Sequence, residues 1–261
     1  MAETHPAEIA GIYRYPVKGL SPESLPRVAL VPGETLPGDR GYAIENGPSG
    51  FDSAEPKWMS KAYFLMLQRD EWLAGLHSRF DDASHTLTIR DQGREVARGD
   101  LETAAGRATI EQFLSTRFAG RLKGPPKILS GGGHSFSDVA RKVVSIINLN
   151  TVQAIEHLVG QPVHPLRFRA NLTVRGWPPW HEFELLSQTL AAGDARLKVV
   201  KRITRCAAIN VDPDSATRDL DIMHLLQRRL GHGDCGVYAE VIAGGDVATG
   251  DQVGTLAPSL L

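Results

Sequence analysis

Apolar positions along this chain come mostly in short alternating runs bounded by glycine and proline, the pattern of strands and tight turns. "EIAGIYRYPVKGL" carries a β-branched and aromatic run that stops at Pro16 and Gly19. "RVALVPGETLPGDRGYAIEN" reads as two short strands around a Pro/Gly-rich connection. "HTLTIRDQGREVARGD" alternates, with Leu87 and Ile89 on one face, and turns at Gly93 into a further strand. Helical spacing predicts one helix over about Lys61 to Leu76 and another from near Ala105 to just before "FAGRLKGPPK". Further on, "VVSIINLNTVQAIEHLVG" predicts a strand followed by a helix with Asn150 or Thr151 as N-cap and Gly160 as its stop. "RFRANLTVRG", "LLSQTLAAGDARLKVVKRITRCAAINV" and "CGVYAEVIAGGDVATGDQVGTL" are strand-like, and a helix over about Leu220 to Arg229 interrupts them.

Many short strands with about four helices predict a mainly β fold with some α, a β-barrel with helices attached. The run of Gly120, Gly124, Pro125 and Pro126 marks a linker, so the boundary is expected between 120 and 130, giving units 1–125 and 126–261. Gly33 and Gly38–Asp39 are spaced like Gly245 and Gly250–Asp251, which suits two similar turns better than a repeat.

A chain of 261 residues can bury a sizeable core, and 42% hydrophobic with 23% charged residues is ordinary for a globular protein. The formal charge of −1 gives no general case for nucleic-acid or membrane binding. No apolar run approaches the ~18 residues needed to span a bilayer, and "MAETHPAEIAG" lacks the pattern of a secretory leader. A cytoplasmic, reducing setting is expected, which leaves Cys206 and Cys235 as free thiols.

Alternation through Leu197 to Ile209 puts Arg202, Thr204 and Cys206 on one face, with Arg205 opposite, just before an Asp-Pro-Asp turn. Cations favour a thiolate, so Cys206 suits metal ligation or nucleophilic chemistry; a lone cysteine equally suits structural packing. In "LRFRANLTV" one face carries Arg167, Arg169, Asn171 and Thr173, which fits either an oxyanion site or a solvated polar face. Lys18, Asp39 and Arg40 each sit beside a glycine, in settings that serve either a ligand or a tight turn. "SGGGHSFSD", with His134, reads as an anion-binding nest or, more simply, a flexible connector. His181 has no partner at metal-ligand spacing, and Cys235 reads as a small packing residue.

Taken together, these stretches resemble the MOSC family, the molybdenum cofactor sulfurase C-terminal domain proteins, in the form that adds an N-terminal β-barrel domain, as in the mitochondrial amidoxime-reducing component. "IYRYPVKGL", "LPGDRGYAI" and "AEPKWMSKAYFLML" resemble the N-terminal domain; "RFRANLTV", "ITRCAAINVDPDSATRD", "GVYAEV" and "TGDQV" resemble the MOSC domain in order. The resemblance implies a molybdopterin-type molybdenum cofactor (Mo-molybdopterin) bound between the domains. It makes Cys206 the metal ligand and catalytic residue, with Lys18, Arg40, Arg169, Asn171 and Arg205, and more weakly Thr204, Asn150 and Thr151, contacting the cofactor. Gly19 stands where family members often have serine, and Ala170 where many have proline. The implied activity is reduction of N-hydroxylated compounds or related N- or S-oxides. Its partners would be a small N-oxygenated substrate and a separate ferredoxin- or cytochrome b5-like electron donor; Asp212, Asp214 and His134 are candidate proton donors. At family level the resemblance also admits pyridoxal phosphate binding. The alternative is a sulfur carrier holding a persulfide on Cys206 without a metal.

Overall fold

The computed structural model describes residues 5–256. Its strands, in chain order, are β1 (Ala7–Arg14), β2 (Glu23–Leu25), β3 (Arg27–Leu30), β4 (Tyr42–Asn46), β5 (Leu76–Asp81), β6 (Thr86–Asp91), β7 (Arg94–Asp100), β8 (Pro126–Ser130), β9 (Val144–Asn148), β10 (Leu172–Arg175), β11 (Thr189–Ala192), β12 (Ala195–Thr204), β13 (Asp234–Ala243), β14 (Gly245–Ala248) and β15 (Gln252–Thr255). Three α-helices, α1 (Ala104–Arg117), α2 (Leu149–Val159) and α3 (Ile222–Leu230), complete it with several 3-10 turns.

Seven strands close into a barrel in the order β10, β9, β13, β12, β11, β15, β1, with β1 pairing back onto β10. Only β9 and β10 run parallel; the other neighbours are antiparallel. All five residues of β9 are buried, as expected of a strand packed on both faces. Alternate residues of the closing strand, Ala7 and Ile9, join Val144, Leu172, Leu197, Val237 and Val253 in the barrel core.

The expected boundary near 125 is therefore crossed by the first strand. β1 to β3 belong with the barrel: β3 pairs with β14, and Val28, Leu30 and Leu36 lie in the barrel core. The two glycine-turn segments that echo each other in sequence thus lie beside strands that pair together. The remaining N-terminal strands form two small open sheets, β4–β8 and β5–β6–β7, in place of a second closed barrel among the described residues. They share a core with α1, whose Ile110 and Leu114 sit one turn apart on its buried face.

Helix α1 is capped by Thr103, whose hydroxyl accepts from Gly106 N–H. The predicted helix over Lys61 to Leu76 is instead two 3-10 turns, Lys61–Tyr63 and Glu71–Gly75. Between them Asp70 accepts from Met66 N–H and takes an ion pair with Arg69, side-chain bonds that compete with a continuous helix. Helix α2 stops at Gly160 as expected, in left-handed conformation with φ 75°. Its cap is Asn148, two residues before the earliest position the sequence suggested, because β9 feeds straight into the helix. No helix among the described residues is long and apolar enough to cross a membrane.

Candidate functional site

A cavity of about 300 Å³ opens where one end of the barrel meets the N-terminal sheets. The turn after β1 brings Lys18; the turn before β4 brings Asp39 and Arg40; the first 3-10 turn brings Lys61; the loop before β9 brings Asp138. The barrel side brings Arg167, Arg169 and Asn171 ahead of β10, and Lys201 to Cys206 from the end of β12. Eight cationic residues and two carboxylates, Asp39 and Asp138, line this cavity, although the chain as a whole carries −1.

Cys206 is partly exposed and lines the cavity. It does not lie within the strand: β12 ends at Thr204, and Cys206 caps a 3-10 turn over Ala207–Asn210. Arg205 pins the backbone behind it, with Nε donating to Cys235 O at 2.7 Å and Nη1 to Phe168 O at 2.7 Å. Cys235 is fully buried in the second core cluster of the barrel half, and burial pushes its thiol up to about 12, so it packs as expected.

The expected shared face of Arg167 and Arg169 is absent, because Pro165–Phe168 forms a 3-10 turn and Arg169 takes left-handed backbone, φ 50°. Arg167 turns away into ion pairs with Asp212 at 2.8 Å and Asp219 at 2.7 Å, which commits one of the candidate proton donors. Arg169 lies 4.1 Å over the Tyr15 ring, and burial pulls it down to about 10, opposed by Tyr15 and reinforced by the charge of Arg40. Arg40, also left-handed with φ 54°, pairs with Asp39, donates to Arg169 O at 3.2 Å and lies 4.8 Å over the same ring.

Lys18 is buried; burial pulls its ammonium down from the usual lysine value against the attraction of Asp138. Its Nζ donates to Phe136 O at 2.8 Å and Asp138 at 2.5 Å. Lys61 reaches the other oxygen of Asp138 at 3.2 Å and lines the same cavity as Cys206. Burial lowers Lys61 and lifts Asp138, yet the opposite charges win in each case: Lys61 ends above its usual value and Asp138 well below the carboxylate range.

Asn171 lines the cavity, but its amide serves the barrel, accepting from Ser145 Oγ at 2.8 Å and donating to Tyr13 O at 3.1 Å. Thr204 lines it too, with its hydroxyl donating to Asp234 at 2.7 Å. Asn150 and Thr151 are not brought there. Asn150 Nδ2 donates to Trp177 O at 2.7 Å, and buried Thr151 donates to Glu182 at 2.8 Å. His134 sits among the rings of Phe51 and Phe136, and Asp214 borders a neighbouring cavity of about 190 Å³. Lys61, Asp138, Lys201, Arg202 and Tyr238 also line the main cavity without having been singled out in the sequence as its residues. For Asp138 and Lys61 the one local signal is a charged residue in a loop or short turn, too common to single out.

Several buried donors around the cavity lack a partner among the described residues: Arg169 Nη2, Arg205 Nη2, Arg167 Nε and Arg202 Nε. Buried charged donors left unpaired are costly. A phosphate-bearing ligand would supply the missing acceptors, and the thiol of Cys206 is a soft ligand for a metal carried in with it. The residues present therefore fit a phosphate-bearing molybdenum cofactor. No cluster of three or more His, Cys, Asp or Glu among the described residues could hold a metal ion by itself.

A family model described as the MOSC domain matches residues 131–254. Among solved structures, the YuaD protein from Bacillus subtilis aligns over 98% of this chain and 100% of its own, at 15% identity and a TM-score of 0.46. YiiM from Geobacillus stearothermophilus covers 45% of this chain and 55% of its own, at 17% identity and a TM-score of 0.34. YiiM from Escherichia coli covers 44% and 54%, at 18% identity and a TM-score of 0.33. No curated protein matches. Residues 131–254, which hold Cys206, Arg167, Arg169, Arg202, Arg205 and most of the barrel strands, match the MOSC-domain model.

Proposed function

We propose that this chain binds a molybdopterin-type molybdenum cofactor in the cation-lined cavity and reduces N-hydroxylated compounds or related N- or S-oxides with it. The observation that carries the reading is the placing of a partly exposed thiol, Cys206, on the same cavity as guanidinium groups that each keep one buried nitrogen without an acceptor among the described residues. When bound, the cofactor supplies the two-electron oxygen-atom chemistry, and the protein supplies ligation, orientation and charge.

Cys206 offers the thiolate ligand. Lys61, on the same cavity, balances the negative charge, and Asp138 holds Lys61 in place at 3.2 Å. Arg205 fixes the peptide that presents the thiol through its bonds to Cys235 O and Phe168 O. Arg40, Arg169 and Lys18 attract the phosphate end. A persulfide carrier would use the thiol alone and leave those cations without a purpose, so the reductase reading uses more of the site. A small N-oxygenated substrate and a separate electron-donor protein of ferredoxin or cytochrome b5 type complete the proposal.

The test is metal and pterin analysis of protein made in a cofactor-competent host, alongside Cys206→Ala. Molybdenum and pterin are expected in the unaltered chain, and Cys206→Ala is expected to lose at least about 100-fold in reductase activity, the scale on which metal-site support is lost. Protein without molybdenum or pterin, or a fully active Cys206→Ala variant, overturns the reading. A reductant-labile sulfur adduct on metal-free protein would favour the carrier instead.

A further inference from the structure

Tyr15 plays no part in the chemistry above and does not line the cavity, yet it is wholly buried beside it. Two guanidinium groups lie over its ring, Arg40 at 4.8 Å and Arg169 at 4.1 Å from the centroid. Both arginines hold left-handed backbone, φ 54° and φ 50°. Such a conformation costs a non-glycine residue energy and persists where the surroundings over-determine it.

Here the surroundings are assembled around Tyr15. Its N–H donates to Asp39 Oδ1 at 2.8 Å, and its carbonyl accepts from Arg40 N–H at 2.7 Å. Asp39 pairs with the Arg40 guanidinium, whose Nη2 donates to Arg169 O at 3.2 Å. Two like charges brought together out of water repel, and the negative face of an aromatic ring attracts each of them. Asp39 answers Arg40 directly, whereas the buried Nη2 of Arg169 has no acceptor among the described residues. The hydroxyl of Tyr15 reaches Ala170 O only at 3.5 Å, a weak contact, so the ring is the working part.

We propose that Tyr15 is the positioning residue of the anion site: its ring is the platform that holds Arg40 and Arg169 side by side, so that a phosphate-type anion entering the cavity meets two pre-aimed guanidinium groups. The inference rests on reading the cavity as an anion site and adds to that reading the residue that builds it. Pre-aimed donors avoid the ordering cost of recruiting two long, mobile side chains on binding.

The test is calorimetric titration of inorganic phosphate into the full chain, made in a host that cannot supply the cofactor. Tyr15→Phe keeps the ring and is expected to bind phosphate within about twofold of the unaltered chain, since the hydroxyl it removes makes only the weak contact with Ala170 O. Tyr15→Leu keeps an apolar side chain without the ring and is expected to bind about tenfold or more weakly, equivalent to about 1.4 kcal/mol. If Tyr15→Leu fails to melt cooperatively, Tyr15→Met takes its place. Leu or Met variants that bind like the unaltered chain overturn the proposal, as does a Phe variant that falls as far as Leu, or an unaltered chain that takes up no phosphate. Metal analysis separates this result from the reductase reading. Phosphate binding that follows the ring, in a chain that acquires no molybdenum from a competent host, leaves Tyr15 its role and removes the reductase. Molybdenum and pterin in a chain whose phosphate affinity ignores Tyr15→Leu do the reverse.

Discussion

Asp138 shows how one residue sets the state of its neighbours. It is the carboxylate between Lys18 and Lys61, and Lys18 keeps only 7% of its side chain exposed. Removing its charge leaves buried Lys18 with only neutral acceptors, Phe136 O and the amide oxygen of the new side chain. Asp138→Asn is therefore expected to lower unfolding stability at neutral pH by about 1 to 2 kcal/mol, a range discounted because Asp138 itself is half exposed. The carboxyl is held well below its usual value, so its contribution is complete above the unfolded value of about 4 and drains away as pH falls further. Thermal melts of the two proteins should thus differ at pH 7 and converge in acid; a gap that stays constant into acid would show that charge is not the cause. Neither this carboxylate nor Lys61 was legible in the sequence as part of the site. They lie 77 residues apart in sequence, and only folding pairs them on the cavity that Cys206 lines.

Elements explain why some expectations failed and others held. Strand alternation assigned Arg167 and Arg169 to one face, but Pro165 opens a 3-10 turn and the left-handed Arg169 resets the direction. Alternation is a property of extended backbone and says nothing once the chain leaves it. Gly160 and the strand-to-helix order around it were legible because cap chemistry is local. Gly236, in β13, is different: φ is 78°, and a side chain there would meet Ile146 O at 2.5 Å and Arg205 Nη2 at 2.9 Å. Gly236→Ala is expected to cost about 1 to 3 kcal/mol through backbone strain and to displace Arg205 from behind Cys206. Chemical denaturation and alkylation of Cys206 in the native protein would measure the two effects; unchanged stability would contradict the strain.

At the scale of the whole molecule, the barrel is closed by a strand that lies over 120 residues upstream of the next barrel strand, β9. A fragment of residues 126–261 lacks β1, and with it the partner of β10 and β15 and the apolar side chains of Ala7, Ile9 and Ile12. It is expected to show no cooperative melt by circular dichroism, whereas a folded, cooperative fragment would mean that six strands suffice. Burying too little apolar surface and leaving two unpaired edges both argue that they do not.

The amino-acid sequence by itself determined the class of fold, the helix stops, the buried packing role of Cys235 and the ordered stretches that mark a MOSC domain, because periodicity, cap residues and short motifs act over a few neighbouring residues. Only the tertiary structure decided that β1 belongs to the far half of the chain. It alone decided that Asn150 and Thr151 serve Glu182 and Trp177, and that Tyr15, Lys61 and Asp138 stand around the cation cavity. Those facts depend on how distant segments pair and on which buried charge finds which partner, a balance of desolvation and Coulomb attraction that no local pattern encodes.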